Sequence, residues 1–205
     1  MSDNTIYLIG QFANTISEIV LFSSIPFLWY IISKKKFKGA FKYLGLKKTN
    51  KQNYFQALKI TSLAYIFSFS VIVIIKLIQG DVSLNPLESA YNSRIIIFII
   101  SLILFGMKAA ISEEILFRGF LGKRLIYKFG FLKGNILQSI IFMMVHIFSF
   151  SKLPTLEAIL FLINSAIIGF VFGYIMDKKC DGSILPAMIC HGAVNITTAI
   201  IVNII

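Results

Sequence analysis

The sequence predicts an all-α protein, a polytopic bundle of about six transmembrane helices with a polar site buried inside it. The 205 residues are 57% hydrophobic with a mean hydropathy of +0.83, whereas soluble domains are about 45–50% apolar. The apolar residues form runs of about 20, the length that crosses a bilayer as a helix. Glutamate and histidine interrupt some of these runs, although charged groups are costly inside a membrane.

The predicted spans follow from the apolar runs. The third run is longer than a span needs, which predicts a tilted helix or one that continues beyond the membrane. In the fifth, Ser165, Gly169 and Gly173 recur every four residues, a pattern typical of close helix packing. We expect one compact unit in two parts, with residues 1–94 holding two N-terminal spans and a basic loop, and residues 95–205 holding the polar motifs. The six spans are about residues 5–32, 54–78, 94–126, 134–150, 155–176 and 183–205.

The net charge of +11 comes mainly from lysines in the short segments between spans. Residues 33–53 contain eight lysines and no acidic residue. Beside a membrane, such a cluster is typical of a cytoplasmic loop that faces anionic lipid, so we exclude a nucleic-acid partner. Basic and non-basic loops alternate along the chain, which predicts that both termini lie outside. A composition rich in Ile, Lys and Asn favours a bacterial cytoplasmic membrane.

The two cysteines, Cys180 and Cys190, are too few for the disulfide framework of a secreted domain. We predict two reduced thiols that pack as small side chains. The N-terminus lacks the basic segment of a signal peptide, so the first apolar run is expected to be retained as a span.

Polar residues inside three of the predicted spans are the main functional signal. A charge at the centre of a membrane helix costs about 2.5–3.5 kcal/mol on insertion scales, so such residues need a reason to be there. The chain has two histidines in all, and each stands alone in an apolar run. The residues are Glu113, Glu114 and Arg118 in the third span, Phe142 and His146 in the fourth, and His191 and Asn195 in the sixth.

Helix geometry separates the two adjacent glutamates. Glu114 and Arg118 are four residues apart, so they lie on one face and can form an ion pair. Glu113 lies about 100° away on the same helix and lacks that partner. We therefore predict that Glu114 and Arg118 support the site and that Glu113 takes the catalytic position.

The same geometry predicts where the other motif residues lie. Phe142 shares a face with His146, and His191 shares a face with Asn195, because each pair is four residues apart. We expect Glu113, His146 and His191 to meet in one cavity that opens to the cytoplasm. Asn195 adds a fourth polar group, and Phe142 supports the site.

This set of side chains suits hydrolysis in either of two ways. A carboxylate in a desolvated pocket can act as a general base on water, while histidine and asparagine donate to the developing oxyanion. Alternatively, Glu113, His146 and His191 match the ligand set of a catalytic zinc. Spacing alone leaves both schemes open, so the predicted cofactor is none or one divalent metal ion.

Two further charged residues lie inside spans without a motif around them. Glu18 in the first span is interpreted as a structural partner or as a residue that faces the interior. Lys108 in the third span either lines the same cavity or pairs with an acid.

The ordered set Glu-Glu-x-x-x-Arg, Phe-x-x-x-His and His-x-x-x-Asn on three apolar helices resembles the CAAX-processing and bacteriocin-processing (CPBP or Abi) family of intramembrane proteases. Here the three motifs are Glu113–Arg118, Phe142–His146 and His191–Asn195. Each motif alone is weak evidence, whereas the ordered triple is strong. The resemblance covers roughly residues 95–205, which we interpret as the protease core.

The resemblance implies an endopeptidase that cleaves hydrophobic or membrane-associated peptides, such as CAAX tails, bacteriocins or signal peptides, in a cavity reached from the cytosol. Members are described both as metalloproteases and as metal-free glutamate enzymes, which leaves the cofactor open. The implied roles are water activation by Glu113, binding of Glu114 by Arg118, and water orientation and oxyanion stabilisation by His146, His191 and Asn195.

Two other functions are alternatives to proteolysis. A non-catalytic scaffold or immunity regulator would use the same helices to bind another membrane protein. A transporter would use the buried glutamate and histidine side chains as a proton relay.

Overall fold

The computed structural model describes residues 3–204, which form helices and no strand. Two π-helical segments, Glu114–Gly122 and Ile175–Lys179, join α5 to α6 and extend α8. The all-α fold class is confirmed. The helices are α1 (Asp3–Lys34), α2 (Ala40–Leu44), α3 (Lys51–Gln79), α4 (Glu88–Tyr91), α5 (Ile95–Glu113), α6 (Lys123–Phe129), α7 (Phe131–Phe150), α8 (Thr155–Tyr174) and α9 (Leu185–Ile204).

Six helical stretches among residues 3–204 are long and apolar enough to cross a membrane, and they agree with the six predicted spans. The chain is therefore a multi-pass membrane protein. The third stretch runs without a break over Ile95–Phe129, because the π-helical segment links α5 to α6. It is the longest of the six, as the sequence predicted.

The helices around the interior are α5, α7, α8 and α9, with α3 packed on α8 and α9, and α1 packed on α5. Helices α7 and α8 pack against each other. A Cβ atom on Gly173 would overlap the Oδ1 atom of Asn135, and one on Gly169 would lie 3.1 Å from the ring of Phe142. The predicted small-residue face of α8 therefore meets α7 at these two glycines.

One end of the bundle carries the lysine-rich segment 35–50, and we call it the basic end. Here the backbone N–H of Ile184 donates to the carbonyl of Gly45 at 2.9 Å, and the Ser183 hydroxyl donates to the carbonyl of Lys47 at 2.6 Å. Below these bonds, four buried side chains pack together, so the basic end is closed. They are Leu44, Ile115, Met176 and Ile184.

Both cysteines are free and buried, as predicted. Cys180 lies between α8 and α9, outside the spanning helices. Burial, followed by the charge of Asp181 and by Cys190, raises the pKa of the Cys180 thiol to about 11. The thiol is therefore protonated at neutral pH.

Candidate active site

The first motif lies where the chain changes from α-helix to π-helix. Helix α5 ends at Glu113 and the π-helical segment begins at Glu114. Within this segment Gly119 packs directly on the lysine-rich segment, because a Cβ atom there would lie 2.5 Å from the carbonyl oxygen of Leu44. π-helical turns are rare and occur frequently at functional sites, and the sequence pattern did not predict this one.

Glu114, Arg118 and His191 form a buried polar network, in which the His191 ring reaches the edge of the main cavity. Arg118 Nη1 lies 3.0 Å from Glu114 Oε1, and both side chains are 0% exposed. The same carboxylate oxygen lies 2.9 Å from His191 Nδ1. The Arg118 guanidinium also lies 4.2 Å from the ring centroid of Phe142, a cation–π distance. The predicted ion pair between Glu114 and Arg118 is thus present, and it also holds the His191 ring.

Glu113 points away from this network. Its side chain is 16% exposed, and its Oε2 atom has no hydrogen-bond partner among the described residues. This atom lies 3.8 Å from His191 Nε2, a distance too long for a direct hydrogen bond. A polar gap of this length is one that a water molecule commonly bridges.

His146 is oriented by its own helix. Its Nδ1 atom lies 2.8 Å from the backbone carbonyl oxygen of Phe142, and because a carbonyl only accepts, Nδ1 carries the proton. The imidazole also packs on the Phe142 ring, with centroids 4.7 Å apart. Phe142 therefore positions two groups, since it contacts both His146 and Arg118.

One cavity of about 360 Å³ brings the predicted residues together. Glu113 from α5, His146 from α7, and His191 and Asn195 from α9 all line it. These groups come from three helices separated in sequence, as the motif pattern predicted. Asn195 is half-buried, so its amide is available to a bound molecule.

A second cavity opens beside the first, between α1 and α7. It shares Glu113, His146, Glu18 and Ser149 with the first cavity and adds Asn14 and other residues of α1. This second cavity lies between two spanning helices and gives another approach to Glu113 and His146.

The main cavity extends away from the basic end. Its lining includes Leu84 and the exposed Pro86, which belong to the connection between α3 and α4 at the opposite end of the bundle. Buried residues around Leu44 and Met176 fill the basic end instead. The opening toward the cytoplasm stays a prediction.

The structure shows the contacts of Glu18 and Lys108, the two charged residues inside spans that belong to no motif. Lys108 Nζ lies 3.1 Å from Glu18 Oε2, and the Ser112 hydroxyl donates to Glu18 Oε1 at 3.3 Å. Both Lys108 and Glu18 line the main cavity. Each of the two interpretations made for Lys108 is thus correct, since it pairs with an acid and lines the cavity.

Sequence reasoning missed two buried amides of α7. Gln138 Nε2 donates to the carbonyl oxygen of Gly169 at 2.7 Å, and Asn135 Nδ2 donates to that of Phe170 at 2.9 Å. Arg118 Nη2 approaches the same Gly169 carbonyl at 3.5 Å. The available signal was the presence of two amides in an apolar span, three residues apart.

The predicted metal ligands Glu113, His146 and His191 differ in how well they suit a metal ion. Both histidines have Nδ1 engaged by an acceptor, which leaves Nε2 toward the cavity, and a neutral Nε2 is a suitable metal ligand. The positions of the side chains do not suit a metal ion, because across residues 3–204 no three His, Cys, Asp or Glu side chains are close enough to hold one. In this arrangement Glu113, His146 and His191 do not form a three-ligand metal site.

Comparison with known families matches residues 87–197 to the type II CAAX prenyl endopeptidase Rce1-like family. This match spans more than half of the chain and contains all three motifs, from Glu113 to Asn195. No curated protein and no solved structure matches significantly. The motifs, their meeting in one cavity and this match agree, and the chain belongs to the Rce1-like family of type II CAAX prenyl endopeptidases.

Proposed function

We propose that this protein is an intramembrane endopeptidase that hydrolyses peptide bonds of hydrophobic, membrane-associated peptides with a water molecule activated by Glu113. One observation carries the proposal. The Oε2 atom of Glu113 has no hydrogen-bond partner among residues 3–204 and faces His191 Nε2 across 3.8 Å in a cavity large enough for a peptide segment. An unpaired carboxylate beside an imidazole suits general-base catalysis.

In the proposed reaction, water lies between Glu113 and His191. Glu113 takes one proton from it while the water oxygen bonds to the carbonyl carbon of the substrate, which gives a tetrahedral oxyanion. The C–N bond then breaks, and the protonated Glu113 returns its proton to the departing amine. The products are a carboxylic acid and an amine, and Glu113 is again a carboxylate.

Asn195 and His146 have different capacities to stabilise the oxyanion. The Asn195 amide carries two N–H donors at every pH. His146 uses its Nδ1 proton on the Phe142 carbonyl, so a neutral ring presents only an acceptor to the cavity. We therefore assign the oxyanion to Asn195 and the orientation of water or substrate to His146. His191, held by Glu114 through Nδ1, orients the attacking water.

The buried network fixes these positions. Glu114 forms an ion pair with Arg118 and a hydrogen bond with His191 Nδ1, so the His191 ring cannot rotate without breaking a charge-assisted bond. Preorganised polar groups cost no rearrangement during the reaction, which is the main source of electrostatic catalysis.

Hydrolysis of fluorogenic hydrophobic peptides by purified protein in lipid nanodiscs tests the proposal. Glu113→Gln preserves the shape of the side chain but removes the base, and we expect at least a 100-fold loss of kcat, in the range typical of acid–base groups. Glu88→Gln, an exposed glutamate on α4, is the matched control and should keep full activity. Full activity in Glu113→Gln would refute the mechanism. A preserved cellular phenotype in that variant would favour the scaffold function instead.

Metal content is tested separately by elemental analysis of the wild-type protein and of His146→Ala. We expect no stoichiometric metal in either sample, and peptide hydrolysis that resists chelators. One zinc ion per chain that is lost with His146→Ala would replace the glutamate scheme with a metal-dependent one.

Substrate entry is proposed from the end opposite the basic end and from the groove between α1 and α7. In the orientation that the positive-inside rule predicts, Pro86 then faces the outside. A Pro86→Cys variant should react with a membrane-impermeant maleimide in intact cells, and a bulky label there should slow hydrolysis. Cys180 and Cys190 are buried, so they give little background. Labelling that requires permeabilised cells would place the cavity on the cytoplasmic side.

A further inference from the structure

Among the described residues that line the main cavity, Lys108 is the one lysine or arginine. A lysine inside a span is costly and is by default a functional candidate. Its side chain is 21% exposed, so the ammonium group is reachable from the cavity. The proposed hydrolytic mechanism uses Glu113, the histidines and Asn195, and it gives Lys108 no role.

The partner of Lys108 is held less firmly than the ion pair of the first motif. Glu18 is 25% exposed, whereas Glu114 and Arg118 are 0% exposed. Apart from Lys108, the Glu18 carboxylate contacts the Ser112 hydroxyl at 3.3 Å. Glu18 also belongs to α1, which lies outside the matched residues 87–197. It lines the second cavity too, so its carboxylate has space to move into that cavity.

We propose that Lys108 binds a carboxylate of the peptide substrate, and that Glu18 occupies this anion site until substrate replaces it. The substrate carboxylate has the same charge and the same oxygen acceptors as the Glu18 carboxylate that it replaces at the ammonium group. Lys108 is therefore never left as an unpaired cation inside the membrane. The inference rests on the proposed function and names a feature of its substrate.

Position supports this role. Lys108 and Glu113 are five residues apart on one helix, or about 7.5 Å along its axis, and they line the same cavity. An extended peptide advances about 3.3 Å per residue, so a short segment reaches both groups. Lys108 would then act as a specificity-determining residue that places the peptide relative to the base.

The carboxylate has two possible sources, a peptide C-terminus or an acidic side chain. Three peptides of one hydrophobic sequence separate them, one with a free C-terminus, one amidated, and one amidated with an internal Gln→Glu change. We expect wild-type kcat/KM to be on the order of tenfold higher for at least one carboxylate peptide than for the amidated parent, as for loss of a charge-assisted hydrogen bond.

Four variants test the assignment to Lys108. Lys108→Met should bring the carboxylate-to-amide ratio close to one, and Lys59→Met, an exposed lysine of α3, should keep the wild-type ratio. Glu18→Gln should lower KM for carboxylate peptides, because the internal competitor is lost. Lys108→Met alone leaves the Glu18 carboxylate without its partner and can prevent folding. The double variant Glu18→Gln with Lys108→Met removes both charges, so the carboxylate-to-amide ratio of kcat/KM can still be measured on it.

An unchanged ratio in the Lys108 variants would overturn the inference and leave the proposed hydrolysis intact. Absence of hydrolysis of every peptide by wild-type protein would count against the proposed function instead. In that case the anion site is tested by the binding of the same peptides, fluorescently labelled, to wild-type and double-variant protein. Fluorescence anisotropy measures this binding. A carboxylate preference lost in the double variant supports the site, and equal binding of carboxylate and amide peptides overturns it.

Discussion

The two adjacent glutamates of the first motif should differ in their effect on stability when each is changed to glutamine. Glu114→Gln removes the charge that compensates Arg118, which is 0% exposed, and it weakens the bond to His191. Glu113→Gln removes a carboxylate that pairs with no arginine or lysine among the described residues. Stability should therefore depend on Glu114, and activity on both.

The magnitudes follow from burial. Breaking a buried ion pair by removing one partner costs about 3–5 kcal/mol, because it leaves an uncompensated buried charge. The free energy of unfolding should fall by about this amount in Glu114→Gln. In Glu113→Gln it should change by about 0.5 kcal/mol or less, as for substitutions away from buried networks.

Reversible unfolding in mixed micelles, followed by circular dichroism, measures both variants under one condition. The double variant Glu114→Gln with Arg118→Met removes both charges and should recover part of the lost stability, because no isolated cation remains. Equal stability of Glu114→Gln and Glu113→Gln would refute the separation of roles. So would a double variant less stable than Glu114→Gln alone.

Three further predictions concern packing and reactivity. Gly173→Ala should cost about 1–3 kcal/mol, because its methyl group would overlap the amide of Asn135, and thermal unfolding checks this. Glu157→Gln should loosen the loop that lines the cavity, since the buried Glu157 carboxylate accepts two backbone N–H groups from residues 83 and 84; hydrogen exchange of those amides should become faster. Cys180, with its pKa raised to about 11, should resist maleimide at pH 7.5 in folded protein and react once it is unfolded, as mass spectrometry would show.

One confirmed prediction rests on local geometry alone. The pairing of Glu114 with Arg118 needs only the spacing of one helical turn, and a π-helical backbone did not abolish it. The meeting of the three motifs in one cavity was a stronger prediction, because it depends on helix packing, and the structure places all of them there.

Other features could not be read from the sequence. The π-helical segment contains the close contact of Gly119 with Leu44, and these two residues lie far apart along the chain. The bond from His191 to Glu114 likewise joins α9 to the start of the π-helical segment. The direction in which the main cavity extends, toward Pro86 and away from the basic end, also depends on packing, because lysine counts carry no information about which end of a bundle is filled by side chains.

The sequence by itself determined the fold class, the six spans, the family and the ion pair of the first motif. Hydropathy and helical spacing are properties of one segment at a time, and they are sufficient for these conclusions. Only the tertiary structure decided where the cavity leads, which carboxylate holds His191, and that Glu18 neutralises Lys108. These depend on the distances between side chains of different helices, which are set by how all the helices pack together.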